Sequence, residues 1–180
     1  MPIIIAEVKT QSPFGYRSSH SWDELFEIAN GHGNWLSIHT DPRWGGSFDL
    51  LRKAKSLTDK PILAKGIHAH DSDIAHAIEA GADYVLVVGR IPKIYLDKCL
   101  IEPNTLQELS NIPNDVKAVW NARDLRDGKA KLESFEKARS IFSGWLCQAS
   151  FVQSPDDIKP GADAVIIGES LVDFVSALKE

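Results

Sequence analysis

Cysteine is scarce in this 180-residue chain. Cys99 and Cys147 are the only two, and their spacing suits neither a metal ligand set nor a disulfide scaffold. They read as small buried hydrophobes in a reducing compartment. Long apolar runs are missing too. No stretch approaches the ~18 residues of a membrane span, and Met1-Pro2-Ile3 has no charged leader or cleavage site, so a cytoplasmic protein without a membrane partner is expected. Basic runs are likewise absent. Lys and Arg number 20 against 25 Asp and Glu, and the net charge of −5 argues against nucleic acid as a partner while leaving room for a local basic pocket. The remaining composition, 43% hydrophobic and 25% charged, is that of one globular domain over residues 1–180, long enough to bury a core.

Short apolar runs recur along the chain. They are Ile3–Ala6, Trp35–Ile38, Ile62–Ala64, Tyr84–Val88, Cys99–Ile101, Val116–Val119, Trp145–Cys147 and Ala164–Ile167. Near-continuous rather than alternating apolar character suits parallel strands covered on both faces. Between most of them lie stretches of helical period, such as Trp22, Leu25, Phe26 and Ala29, or Ile74, Ala77 and Ile78. Ser21 is placed to cap the first helix with Glu24 three residues on, and Asp71 or Ser72 to cap the third. Strand alternating with helix predicts a parallel α/β fold.

An internal echo narrows the choice. Gly81-Ala82-Asp83 followed by Tyr84–Val88 returns as Gly161-Ala162-Asp163 followed by Ala164–Ile167, with starts at 81 and 161, 80 residues apart. That offset is four strand–helix units of about 20 residues, which favours two halves of a (βα)8 barrel over a doubly wound open sheet. The barrel is a minimal one with shortened helices. Only Ile91 to Lys98 separates the fourth strand from the fifth, and the stretch between Glu108 and Val116 is equally short. A wall left partly bare in this way raises the expectation of a homodimer.

In such a barrel the chemistry lies at the C-terminal ends of the strands. Glu7 and Lys9 close the first strand on one face, continuing Ile3 and Ile5, and read either as a rim salt bridge or as working groups. Lys65 ends the third strand, Glu102 the fifth, Asn121 the sixth and Ser150 the seventh. Gly168-Glu169-Ser170 ends the eighth and opens the last helix, a seat suited to phosphate, although Gly168 could serve the turn alone. A lysine beside another lysine, or in a dry pocket, loses proton affinity and acts as a general acid near neutral pH. A carboxylate across the cavity then takes and returns protons. Such a pair suits an enzyme that closes a ring onto a carbonyl.

His39 ends the second strand, and His68 and His70 follow the third in an H-x-H pair with no acidic ligands at a definite spacing, so no metal is expected. Solvated loop histidines are the preferred reading. Trp44, among Gly45, Gly46 and Ser47, reads as a loop anchor or as a platform for an aromatic substrate.

These motifs together resemble the indole-3-glycerol phosphate synthase family. Glu7-Val8-Lys9-Thr10-Gln11-Ser12-Pro13 is similar to the family's E-[IV]-K-x-x-S-P, and Thr40 to Ser47 to its T-D-aromatic-G-G-S loop with one residue fewer and Trp44 at the aromatic position. Lys65 stands where the family has K-D-F, Leu100-Ile101-Glu102 matches L-[IV]-E, Asn121 to Leu125 matches N-x-R-D-L, and Gly168 to Leu171 matches G-E-S-L. The resemblance runs through all eight units. It stops at Gln148-Ala149-Ser150-Phe151, where the family has S-E-S-G, and at Gly66-Ile67 after Lys65.

The resemblance implies a (βα)8 barrel without the family's N-terminal extension. It implies a cytoplasmic lyase acting on a phosphorylated small molecule, 1-(2-carboxyphenylamino)-1-deoxyribulose 5-phosphate, with loss of CO2 and water and no cofactor. Lys65 is then the general acid and Glu102 its acid–base partner. Lys9, supported by Glu7, stabilises developing charge. Asn121 and Arg123 position the carboxylate, Ser12 and Trp44 hold the aromatic end, and Ser150, Gly168, Glu169 and Ser170 serve the phosphate. The alternative is a repurposed homologue that binds another phosphate ester or acts as a partner subunit. The sister isomerase of the same pathway fits less well, because neither Cys99 nor Cys147 sits at the end of the first strand.

Overall fold

The computed structural model describes residues 1–179. Eight parallel strands close into a barrel in sequence order, the last pairing back onto the first. They are β1 (Ile3–Val8), β2 (Trp35–His39), β3 (Ile62–Lys65), β4 (Tyr84–Val88), β5 (Cys99–Glu102), β6 (Lys117–Asn121), β7 (Leu146–Ala149) and β8 (Ala164–Ile167). Closure decides against the open sheet. Several strands run one or two residues beyond the apolar runs, and the added residues include Glu7, His39, Lys65, Glu102 and Asn121, which line the barrel mouth.

Alternation sorts the strand residues into two cores. Ile5, Leu63, Leu86, Leu100, Val119, Cys147 and Ile166 fill the interior, while Ile4, Ala6, Val8, Leu36, Ile38 and their equivalents pack outward against the helices. Parity then places the mouth: two residues beyond Ile5, Leu63, Leu100, Val119 and Ile166 come Glu7, Lys65, Glu102, Asn121 and Gly168. At the opposite end Trp35 stacks on Tyr84, with ring centroids 4.4 Å apart, and on Trp145 at 6.0 Å, flooring the barrel with aromatic rings.

The helical layer is α1 (Trp22–His32), α2 (Phe48–Leu57), α3 (Asp71–Glu79), α4 (Leu106–Ser110), α5 (Phe135–Ile141) and α6 (Leu171–Leu178). Ser21 and Glu24 form the expected capping box on α1. On α3 the expectation shifts by one residue. His70 is the N-cap and Asp71 already lies in the helix, because Asp73 reaches back to accept the His70 N–H at 3.0 Å. Only a 3-10 turn, Leu96–Lys98, bridges β4 and β5, leaving Ile91, Ile94 and Tyr95 exposed on that side. A second such turn, Pro155–Asp157, replaces the helix between β7 and β8.

The internal echo has a physical basis. Asp83 donates its backbone N–H to the Ile62 carbonyl at 2.9 Å, and its carboxylate accepts the Ile62 N–H at 2.9 Å. Asp163 repeats both bonds on Leu146, at 2.9 and 2.8 Å. Each Asp thus clips the turn before an even-numbered strand onto the preceding strand, behind a glycine with φ of 114° (Gly81, after α3) or 86° (Gly161, after the 3-10 turn) that redirects the chain into the strand. Asn34 makes the same two bonds to Ile4, both 2.8 Å, and is a third copy with an amide in place of the carboxylate. Asp83→Ala is therefore expected to cost about 1–3 kcal/mol, the desolvation penalty of an orphaned N–H, while Asp83→Asn keeps most of the bond. Urea midpoints at constant m test this; equal losses in the two variants contradict it.

Candidate active site

The strand ends surround a cavity of about 360 Å³ lined by Glu7, His39, Lys65, Glu102 and Asn121 from the strands, with Lys9, Trp44, Arg123, Phe151 and Glu169 from the segments that follow them. This size suits a small-molecule ligand. Glu7 is buried in this cavity, its side chain 3% exposed. One carboxylate oxygen accepts from Lys65 Nζ at 2.9 Å and from Ser37 Oγ at 3.2 Å; the other lies 2.7 Å from His39 Nε2. Burial raises the proton affinity of this carboxyl, yet Lys65, His39 and Lys9 outweigh it and hold Glu7 well below the ordinary glutamate range.

Lys65 departs from expectation. Its side chain is 14% exposed, and burial disfavours its cation, but Glu7 and Glu102 more than offset that and raise its proton affinity. The lowered lysine pKa expected of a dry, lysine-rich pocket is thus not found at Lys65. It is found at Lys9, where burial outweighs the pull of Glu7 and Glu169. Nor do Glu7 and Lys9 form a rim pair: Lys9 Nζ bonds Glu169 Oε1 at 3.0 Å. Glu102 is the carboxyl displaced upward, because burial exceeds the stabilisation from Lys65, Lys131 and Asn121. Asn121 Nδ2 donates to Glu102 Oε2 at 3.4 Å, while the buried Oε1 has no protein partner among the described residues. One cavity therefore holds an ionised carboxylate, a firmly protonated lysine and a carboxyl that keeps its proton longer, and groups whose environments separate their proton affinities divide acid and base work.

Arg123 follows Asn121 in the loop after β6, and its backbone N–H donates to Asn121 Oδ1 at 2.9 Å. Ser150 Oγ donates to the same oxygen at 2.6 Å, which orients the Asn121 amide so that its NH2 faces Glu102. Ser150 and Phe151 both adopt left-handed backbone, φ 72° and 59°, and the Phe151 ring lies 4.5 Å from the Arg123 guanidinium. Gly168 is required by close approach, since a Cβ there would stand 2.9 Å from Glu7 Oε1. Trp44 lines the cavity half-buried, parallel to the His39 ring at 6.0 Å. Ser12 does not line it; its Oγ accepts the Phe14 and Tyr16 N–H groups and shapes the loop after β1.

Two histidines differ from the solvated reading. His39 is buried, and burial lowers its proton affinity despite Glu7. Since a carboxylate can only accept, His39 carries its proton on Nε2, leaving Nδ1 buried without a partner among the described residues. His68 is buried as well, with φ of 47°: its Nδ1 donates to the Leu86 carbonyl at 2.5 Å, and its Nε2 lies 2.9 Å from Thr40 Oγ1. It ties the loop after β3 to the barrel rather than facing solvent, whereas His70 is exposed as expected. Lys131 also escaped sequence reasoning. Its Nζ donates to the Asn121 carbonyl at 2.7 Å from within a loop that carries no motif. Among the described residues no group of three or more His, Cys, Asp or Glu is placed to hold a metal ion.

A family model described as indole-3-glycerol phosphate synthase matches residues 1–109. The chain is 36% identical to the indole-3-glycerol phosphate synthase of Thermococcus kodakarensis, over 94% of this chain and 86% of that protein. The chain belongs to the indole-3-glycerol phosphate synthase family. Other members bearing that name are those of Crocosphaera subtropica, 31% identical over 95% of this chain and 68% of theirs, and Sulfurisphaera tokodaii, 27% identical over 98% and 81%. The part matched by the family model carries Glu7, Lys9, Lys65 and Glu102. Asn121, Arg123, Ser150 and Gly168 lie beyond it, as does the departure at Ala149 and Phe151. Among the described residues no helix is long and apolar enough to cross a membrane.

Proposed function

We propose that this barrel mouth closes the indole ring of 1-(2-carboxyphenylamino)-1-deoxyribulose 5-phosphate, as an indole-3-glycerol phosphate synthase releasing CO2 and water. The observation that carries the reading is the pairing of Lys65 with Glu102 across one cavity, the first held cationic by Glu7 and the second buried with raised proton affinity. As the ring carbon attacks the carbonyl, the oxygen gains negative charge. A lysine that stays protonated in the ground state is placed to meet that charge and give up its proton as the charge forms. CO2 then leaves from that ring carbon, its bonding electrons restoring the benzene ring. The new hydroxyl departs as water while Glu102 takes a proton from the neighbouring side-chain carbon and returns it to the departing oxygen, which forms the indole double bond; a carboxyl of raised affinity is a stronger base for this than an ordinary one. Glu7 and His39 hold Lys65 in position, Asn121 holds Glu102, and Trp44 offers a face to the aromatic end.

The test is direct. Purified protein incubated with the carboxyphenylamino-deoxyribulose phosphate should generate indole fluorescence, and turnover no higher than in a folded Lys65→Ala control overturns the reading. A second reading, a homologue turned to another phosphate ester, is favoured by Phe151, which stands in left-handed backbone and covers Arg123. Phe151→Gly removes the ~1–2 kcal/mol of left-handed strain at the expense of glycine entropy and an exposed cation–π contact of similar size. Stability should therefore stay within about 1 kcal/mol. KM for the ring-closure substrate should fall severalfold as Arg123 is uncovered; a rise in KM favours the second reading.

A further inference from the structure

The three cations that line the cavity are all paired: Lys65 with Glu7, and Lys9 and Arg123 with Glu169. Lys131 is different. It stands behind the end of β6, in the loop before α5, and does not line the cavity. Its side chain is half-buried, yet among the described residues it forms no salt bridge, and its hydrogen-bond acceptor is a backbone carbonyl. Withdrawing an ammonium from water without a carboxylate partner is unfavourable. The loop holds it there nonetheless.

That loop folds back on the strand it leaves. Ala130 bridges Arg123 in antiparallel fashion, and the Lys131 N–H donates to the Ala122 carbonyl at 2.7 Å. The Lys131 side chain thereby returns to β6. Its Nζ lies 4.6 Å from the Trp120 ring centroid and donates to the Asn121 carbonyl at 2.7 Å. Trp120 is itself fixed, since its Nε1 donates to the Glu133 carbonyl at 3.1 Å. Asn121 is thus held at its carbonyl by Lys131 and at its Oδ1 by Ser150 and the Arg123 N–H. Its Nδ2 is left to donate to Glu102.

Glu102 faces charges from several elements. Lys65 on β3 and Lys131 favour its carboxylate, while burial and Glu7 on β1 oppose it. Cys147 on β7 stays a neutral thiol, because burial pushes its ionisation up. Glu7 pairs with Lys65 and offsets part of its field at Glu102. The charge of Lys131 is less compromised: it faces Glu102, Asp124, Glu133 and Glu108, and pairs with none of them. We propose that Lys131 is a positioning residue for Glu102: it fixes the end of β6, so that the Asn121 amide meets the Glu102 carboxylate, and supplies an unshared positive charge that favours the ionised form. The proposal deepens the ring-closure reading and rests on it, since there Glu102 must be ionised to take a proton from carbon. Burial makes Glu102 a strong base but favours its protonated form. Lys131 counters that from outside the cavity, where it neither meets the substrate nor shares the proton.

The experiment compares Lys131→Gln, Lys131→Met and Lys131→Arg with the wild type. Glutamine keeps a donor for the Asn121 carbonyl and removes the charge, methionine removes both, and arginine keeps both. In Lys131→Gln and Lys131→Met the acid limb of the kcat profile should move up by about 0.5–1 pH unit, the effect of losing one nearby charge. Lys131→Arg should return it toward the wild-type position. On the acid side the rate at fixed pH then falls about 3–10-fold, while KM and the alkaline limb hold. An acid limb that stays in place in Lys131→Gln, whatever Lys131→Met does, overturns the proposal and makes Lys131 a structural tie of its loop. Infrared titration of the Glu102 carboxyl, as the difference between each protein and its Glu102→Gln counterpart, reads the same shift without turnover. A shifted infrared midpoint in a protein that does not close the ring would strike the ring-closure reading and leave the action of Lys131 on Glu102 standing.

Discussion

Glu102→Gln is expected to lower kcat for ring closure by about 10²–10⁴-fold, the usual range for a lost acid–base group, with KM changed much less. Glutamine fills the same volume and can still face the Asn121 amide, so the barrel mouth keeps its shape. What disappears is the raised proton affinity that burial confers on the carboxyl against the pull of Lys65 and Lys131. The pH profile provides an independent check. In the wild type the limb belonging to Glu102 should lie above the ordinary carboxylate range, and it should vanish in the variant. A loss below tenfold, or a profile of unchanged shape, would make Glu102 a packing residue.

The largest effect on stability is expected at Lys65. Removing one partner of a buried ion pair costs about 3–5 kcal/mol because the other charge stays uncompensated. Lys65→Met leaves the Glu7 carboxylate with Ser37 and a neutral His39. His39 then becomes the natural counter-charge, and its sign of linkage reverses. In the wild type its proton affinity is depressed by burial. In the variant an unneutralised Glu7 at 2.7 Å should raise it above the unfolded value. A group whose folded pKa is raised contributes stability at low pH that is lost as pH rises through the folded pKa. Lys65→Met should accordingly be weakest at alkaline pH and recover part of its deficit as pH drops toward 6. The double variant Glu7→Gln/Lys65→Met, with no charge left to compensate, should lose less than the sum of the single losses and show no such recovery. Denaturant midpoints across pH measure both, and additive losses independent of pH would contradict the arrangement.

These predictions divide along the line between what the chain makes legible and what it does not. The alternation that carries Ile3 and Ile5 into Glu7 is a local property of an extended backbone, so the inward direction of Glu7, Lys65, Glu102 and Asn121 follows from two-residue parity. The Ser21 capping box is equally local, and the repeat of Gly-Ala-Asp is visible as text. The charge states are not local. Whether Lys65 binds its proton more or less firmly depends on carboxylates from β1 and β5, and a dry-pocket argument applied to Lys65 alone gives the wrong sign. The role of His39 at the end of β2 was hidden because its partner, Glu7, lies on another strand. The ion pairs of Glu169 with Lys9 and Arg123 were not legible either, because the two cations stand far from it along the chain. The third copy of the clip was hidden by chemistry of another kind. Asn34 performs the task of Asp83 and Asp163, yet an amide preceded by a glycine and no alanine does not match the repeat by eye.

The aromatic floor ties this division to the order in which the barrel assembles. Trp35 and Tyr84 stand in the first four-strand half, and Trp145, whose ring lies 6.0 Å from Trp35, stands in the second. The Trp35–Tyr84 stack is available to an isolated first half, but the face offered to Trp145 stays wet until the second half arrives. Contacts between such distant parts of a chain form late in folding, because the loop-closure entropy must be met first. The floor is therefore a latch between hemispheres, and its last ring reports the moment at which a pair of half-barrels becomes a closed one.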